Sequence, residues 1–253
     1  GVVDGREPER RRKTRRQNYL VMRVTRQTLA KALVVVFVFN LVVMGAGAAL
    51  AYQQEPPIPD TVVGPDGQTV VTAEQVQDGK KSFQSNGLMN HGSILGNGAY
   101  YGEDYTADAL ELKTQYMKEY YAQERHGTEY EALDTGERAS IDATVKEELD
   151  VTGSEGPIQY SEAELYAHQQ VREEYVQRYN EGSAERGIPE GMIESQEEAR
   201  EFADFAMWTA WISHADRPGT DHSYTNEWPY VPEAGNAPTG SAMTWSVISM
   251  VLL

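Results

Sequence analysis

Five histidines, at positions 91, 126, 168, 214 and 222, are the side chains of this sequence best suited to hold a transition metal or to pass a proton near neutral pH. Glu164 and His168 stand four residues apart in a run that reads as helix. That spacing puts both on one face, where they could share a metal; on so charged a stretch the preferred reading is a solvated pair. His214 falls near the end of another helix, where an imidazolium would suit the negative pole of the helix dipole. No Ser/His/Asp order, phosphate loop or HExxH motif is present, so the body of the chain carries no catalytic residues of its own. The absence of cysteine excludes disulfides, thiolate zinc, iron–sulfur clusters, blue copper and a covalently attached c-type haem.

GLMNHGSILGNGAYYGED, residues 87–104, is built differently. Gly87, Gly92, Gly96, Gly98 and Gly102 alternate with Leu, Met, Ile and Tyr, and glycine lets backbone approach a partner closely or take a positive φ. Only His91 could bind a transition metal through its side chain, and only Glu103 and Asp104 bring negative charge. Composition leaves two readings open: a loop folded over its own core, or a surface of backbone carbonyls offered to an ion or a neighbouring cofactor.

The elements that must carry these residues are set out by charge and hydropathy. Residues 1–52 hold ten Lys/Arg against three Asp/Glu, a net +7, and residues 53–253 hold twelve against thirty-six, a net −24. So acidic a body repels a nucleic-acid backbone. Fifteen Arg against seven Lys, with acids exceeding both, reads as adaptation to high salt, a calcium-buffering surface being the rival reading. Ala32–Tyr52, ALVVVFVFNLVVMGAGAALAY, is long enough as a helix to cross about 30 Å of hydrocarbon. The dense basic flank before it places the N-terminus in the cytoplasm and the rest outside. A cleaved signal is the rival, since TRRQNYL resembles a twin-arginine stretch and Ala49-Leu50-Ala51 a peptidase site; the length of the apolar run favours a retained anchor. A second apolar stretch, SAMTWSVISMVLL, opens near Ser241, and both chain ends read as interrupted.

Between the apolar segments, QQEPPIPDTVVGPDGQT (53–69) reads as an extended linker. Thr72 with Gln75 reads as a capping box opening a helix. Helices follow over TADALELKTQYMKEYYAQERHG, over 137–149, over 161–180 with Leu165, Val171, Tyr175, Val176 or Tyr179 inward, and from Ser195, where Phe202, Phe205, Trp208 and Ile212 form a stripe that reads as core. Little alternation supports a sheet. The fold class is mostly α: a basic cytoplasmic tail (1–28), a transmembrane helix (29–52), an all-helical, loop-rich extracytoplasmic domain (53–238) and the start of a second transmembrane helix (239–253) in the plasma membrane.

LMNHGSILGNGAYYGEDYTADAL (88–110) and FADFAMWTAWISHADRPGTDHSYTNEWPYVPEAGNAP (202–238) resemble the N-terminal part of quinol-dependent nitric oxide reductases. The second stretch is the more specific, and 111–200 is weak. In the small cytochrome subunit of the related two-subunit enzymes, a C-x-x-C-H haem-attachment motif precedes a G-x-G-A-Y loop. The resemblance puts Leu88 and His91 at the two cysteine positions and Gly92 at the axial-histidine position, with GNGAY at 96–100 following. It therefore implies a cytochrome-c-like domain whose haem is gone. It also implies that Gly98 and Tyr100 contribute carbonyls to a calcium ion, with further ligands from elsewhere.

For the whole enzyme the resemblance implies reduction of two NO to N2O and water with electrons from quinol. Two haems b and a non-haem iron would lie in the transmembrane core, with no covalent cofactor and no catalytic residue in this segment. Its partners would be the membrane and that core, which it would cap. The alternatives are a membrane-anchored acidic interaction module and a secreted binding protein released after Ala51. WPY at 228–230 reads as an interfacial anchor in preference to a cofactor-facing element.

Overall fold

The computed structural model describes residues 25–153 and 156–252, so residues 1–24 of the basic tail, with its arginine pair, lie outside the described residues. The chain divides between Glu55 and Pro56 into two compact units. In the first, helix α1 (Arg26–Gln53) is capped by Thr25, whose Oγ1 accepts from the Thr28 amide at 3.2 Å. Among the described residues it is the one helix long and apolar enough to cross a membrane, and none of its residues is buried.

The second unit is mostly helical, with two small sheets where the sequence reads as linker and loop. Strands β1 (Thr61–Val63) and β2 (Thr69–Thr72) pair antiparallel, and β5 (Ile158–Gln159) adds in parallel to β1. The segment expected as a linker is thus in large part a hairpin: in TVVGPDGQTVVT the β-branched residues form the strands and the Gly/Pro segment their turn. That turn is closed by Gly64 N–H to the Gln68 carbonyl at 2.8 Å and Gly67 N–H to the Gly64 carbonyl at 2.9 Å. Strands β3 (Ser93–Ile94) and β4 (Asn97–Gly98) form a second hairpin inside the glycine-rich loop.

Capping sets the helix boundaries. Helix α2 (Ala73–Ser85) opens on the Thr72/Gln75 capping box, α3 (Tyr105–His126) on Asp104 and α4 (Thr135–Leu149) on an Asp134/Glu137 box. Helix α5 (Glu162–Tyr175) opens on a Ser161/Glu164 box, and α6 (Gln196–His214) opens on Ser195. The helix expected over 161–180 changes character at Val176, where a π-helical segment (Val176–Glu181) continues α5. Helix α6 packs on α2, α3 and α5, and its Phe202, Phe205 and Ile212 are buried with Trp208 half-buried. A last apolar helix, α7 (Gly240–Leu252), has no buried residue.

The core is aromatic. Phe202 of α6 is ringed by Tyr105, Tyr175, Tyr179 and Phe83, with ring centroids between 5.1 and 6.1 Å away. Tyr105, Tyr175, Tyr179 and Phe202 are fully buried. Large rings in edge-on and tilted contact combine apolar burial with favourable quadrupole geometry.

Candidate functional site

The glycine-rich loop leaves α2 through Gly87, at φ 68°, and makes one 3₁₀ turn over Leu88–Asn90. Leu88 turns fully inward, and its carbonyl accepts from the Tyr105 hydroxyl at 3.1 Å. At the tip of the β3–β4 hairpin Leu95 and Gly96 both take positive φ, 50° and 75°. A two-residue hairpin turn needs such angles at both central positions, and a leucine adopts them only when its surroundings insist. Here they do: Leu95 N–H donates to Thr106 Oγ1 at 3.2 Å and Gly96 N–H to Asp104 Oδ2 at 2.6 Å. Asp104 Oδ2 also accepts from Ser93 Oγ at 2.8 Å, while Oδ1 caps α3 through the Thr106 and Ala107 amides. One carboxylate therefore starts a helix and closes a loop.

Next to it, Glu103 reaches the other way. Its Oε1 accepts from the Tyr179 hydroxyl at 2.7 Å and from Arg178 Nη1 at 3.3 Å, and its Oε2 pairs with Arg186. Arg178 also holds Asp108 at 2.8 Å and Glu174 at 2.8 Å. Burial and the neighbouring Glu103 charge push the Asp108 carboxyl up to about 6, against the opposing pull of Arg178. A solvent-open cleft of about 260 Å³ lies beside this cluster, lined by Glu103, Asp104, Asp108 and Glu111 with Arg178 and Arg186.

Leu88, His91 and Gly92, which the resemblance puts at haem-attachment positions, do not fit a c-type haem. Leu88 is core, and His91 is half-buried with its ring packed over Gly102. A Cβ at Gly92 would overlap the Glu103 carbonyl oxygen and sit 2.7 Å from the Tyr105 ring, so no side chain of any kind fits there. The interior behind the loop is filled by the Tyr105/Phe202 cluster. A cavity of about 20 Å³, lined among others by Tyr160, His168, Asp204 and Trp208, has room for about one water molecule.

Gly98 and Tyr100 stand on the outer side of the loop. Gly98 is exposed, and at φ 145° a Cβ there would overlap the Gly92 carbonyl oxygen. Tyr100 is 83 % exposed, with its hydroxyl donating to the Gly96 carbonyl at 3.0 Å, and Tyr101 is 89 % exposed. Trp228 and Tyr230 are exposed as well, the Trp228 indole nitrogen lying 4.0 Å from where a Gly96 Cβ would stand. As calcium donors Gly98 and Tyr100 bring only neutral carbonyls. The loop's two carboxylates are engaged by donors of this same chain, and among the described residues no group of three or more His, Cys, Asp or Glu could hold a metal. A shell of six to eight oxygens would have to be completed from elsewhere.

The remaining titratable groups form a separate, buried network that corrects the reading of Glu164 and His168 as a solvated pair. Both are buried, and they face different partners: Glu164 pairs with Lys113 at 2.8 Å, and His168 Nε2 meets Asp204 Oδ1 at 2.7 Å. Asp204 is held from the other side by Arg172, through Nε at 2.7 Å and Nη2 at 2.6 Å. Burial lowers the His168 pKa, an effect the bond to Asp204 opposes, so the imidazole is neutral and its other nitrogen, 3.4 Å from the Tyr160 hydroxyl, is free to accept. His214 is likewise no imidazolium. Burial, reinforced by Lys113, drives its pKa down to about 3, and its Nδ1–H donates to the Leu149 carbonyl at 2.7 Å. Missed in the sequence were Asp204, Arg172 and Lys113, whose partners lie 32 to 51 residues away with no local pattern to betray them. Asp104 was more accessible, as an acid directly before a helix with amides to cap.

Loop and core together define a mostly helical domain that carries a glycine-rich hairpin held by the Asp104 and Glu103 carboxylates. The family model for the NorB-type cytochrome c-like domain of nitric oxide reductase matches residues 59–230, more than half of the 253, and the chain belongs to that family. No curated protein matches the chain.

Proposed function

We propose that this chain is the N-terminal part of a quinol-dependent nitric oxide reductase, which reduces two NO to N2O and water, and that residues 56–238 cap the outer face of its haem-bearing transmembrane core. The observation that carries the reading is the loop itself. A hairpin held by Asp104 and Glu103 follows the positions that the resemblance assigns to haem attachment, and Tyr100, Tyr101 and Trp228 are exposed beside it. A scaffold retained without its cofactor is kept for the surface it presents. In this reading α1 anchors the domain with the N-terminus in the cytoplasm, and the acidic body faces a saline exterior. The two haems b and the non-haem iron supply the redox chemistry from the core, and electrons reach them within the membrane, so the cap needs none. The carbonyls of Gly98 and Tyr100 would complete a calcium site at the junction, and the cap would exclude water from the core beneath.

The test is a Tyr100→Ala/Tyr101→Ala variant of the full-length enzyme, assayed for quinol-dependent NO consumption, metal-analysed calcium content and the haem absorption spectrum. The substitution keeps the Tyr100 carbonyl but removes the hydroxyl bond to the Gly96 carbonyl that helps to shape the loop, so calcium should fall through a displaced carbonyl, and turnover should drop about tenfold, as for loss of well-placed interface anchors. Unchanged calcium, spectrum and turnover would overturn the cap. A full-length protein that consumes no NO with any quinol would leave a membrane-anchored acidic interaction module instead.

A further inference from the structure

We propose that Arg178 and Tyr179, presented by the π-helical segment, are the positioning residues of the glycine-rich loop. Through the Glu103 side chain they set where its exposed Tyr100 and Tyr101 stand. The inference rests on the reading of those two residues as the docking element, but its geometry stands independently. A π-helical turn is rare and tends to mark a functional position, because a regular α-helix is the cheaper continuation. This one delivers two side chains to one carboxylate, Tyr179 Oη at 2.7 Å and Arg178 Nη1 at 3.3 Å, while the segment beyond it adds Arg186.

Glu103 is also tied on its backbone. Its carbonyl accepts from Ser93 N–H at 3.1 Å and lies where a Gly92 Cβ would be, so moving Glu103 moves the base of the β3–β4 hairpin. The neighbouring Asp104 carboxylate accepts from residues 93, 96, 106 and 107, whereas the Glu103 carboxylate connects the loop to residues 75 to 83 positions further along. The loop therefore takes its internal shape from Asp104 and its placement on the domain from Glu103.

Arg178 is almost fully buried among Glu103, Asp108 and Glu174, and burial without these acids would depress a guanidinium that they instead hold well above its ordinary range. Removing it takes the 2.8 Å partner from Asp108 and Glu174 and leaves Glu103 with Tyr179 and Arg186 alone, so an Arg178→Gln chain is expected to fold poorly. Tyr179→Phe is the cleaner probe. It deletes one hydroxyl and keeps the ring against Tyr105, at 6.0 Å, and Phe202, at 5.3 Å.

Hydrogen exchange of the 93–102 amides, with chymotryptic cleavage after Tyr100 and Tyr101, is followed on the detergent-solubilised full chain for wild type, Tyr179→Phe, Glu103→Gln and Arg178→Lys. The hydroxyl–carboxylate bond is worth enough to make loop exchange and cleavage about tenfold faster in the first two variants. Exchange in α4 and in the β1–β2 hairpin should stay at its wild-type rate, and Arg178→Lys, which keeps the charge but not the fork, should fall between. A loop that stays protected in Tyr179→Phe and Glu103→Gln overturns the assignment, and so does exchange that rises evenly across the domain. Because the assay does not read turnover, a loosened loop with normal NO consumption and calcium would uphold the positioning role and defeat the docking reading.

Discussion

At Gly92 and Gly102 the same substitution meets different neighbours. A methyl group at Gly92 would press on the Glu103 backbone carbonyl and on the buried Tyr105 ring, neither of which can retreat without shifting the α3 N-terminus. At Gly102 the nearest atoms, at 2.6 Å, belong to the His91 ring, a half-buried side chain with solvent to move into. Gly92→Ala should therefore cost about 3 kcal/mol, at the upper end of overpacking, and Gly102→Ala under about 1 kcal/mol. Paired denaturant titrations decide the matter, and equal costs would mean that the loop is softer than its contacts indicate. The glycine at position 92 was legible in the sequence as part of a glycine-rich loop. Why it had to be glycine was not, because the crowding comes from Glu103 and Tyr105, brought back by a turn whose closure depends on Asp104.

Between elements, α2 and α6 approach closely at Gly79. A Cβ at Gly79 would overlap the Glu201 carbonyl oxygen and lie 2.8 Å from Phe205 Cβ. Alanine gains about 1 kcal/mol over glycine from helix propensity alone. Here a backbone clash opposes that gain, and the helices must separate where Phe83, Phe202 and Phe205 interlock. Gly79→Ala should thus lower stability by about 2 kcal/mol or more, against the sign that propensity gives. A thermal melt in which the variant matched or exceeded wild type would show that α2 can shift along α6 at little cost. The helices themselves were readable, since Thr72, Ser195 and the 3.6-residue recurrence of Phe202, Phe205 and Ile212 are local signals. The β1–β2 hairpin is equally local, yet it reads as a linker when Pro and Gly are weighed as interruptions and not as the turn that Val-Gly-Pro-Asp-Gly describes. Helix contacts such as Gly79 against Glu201 span more than a hundred residues, and nothing within either segment points to the other.

Over the whole molecule the buried histidines set how stability answers to acid. In the unfolded chain His214 binds its proton near 6.5, and in the folded chain only near 3. Between those values the unfolded state holds the extra proton, so stability falls as pH drops below about 6.5. His168, lowered by burial, acts in the same direction. Asp108 opposes both: raised to about 6 from 3.8, it binds its proton first in the folded state and gains stability as pH falls through that window. Because the acidic surface adds its own relief of repulsion, the wild-type curve alone cannot isolate one group, and a neutral replacement can. His214→Gln loses the bond to the Leu149 carbonyl and should be the less stable protein at about pH 7.5. It has no proton to refuse, so the gap to wild type should close steadily below about pH 6.5, with a slope approaching one proton. Denaturant midpoints of the two chains, taken at intervals from about pH 7.5 down to about 4.5, provide the comparison. A gap that stays constant would mean that the folded imidazole titrates normally and is reached by water.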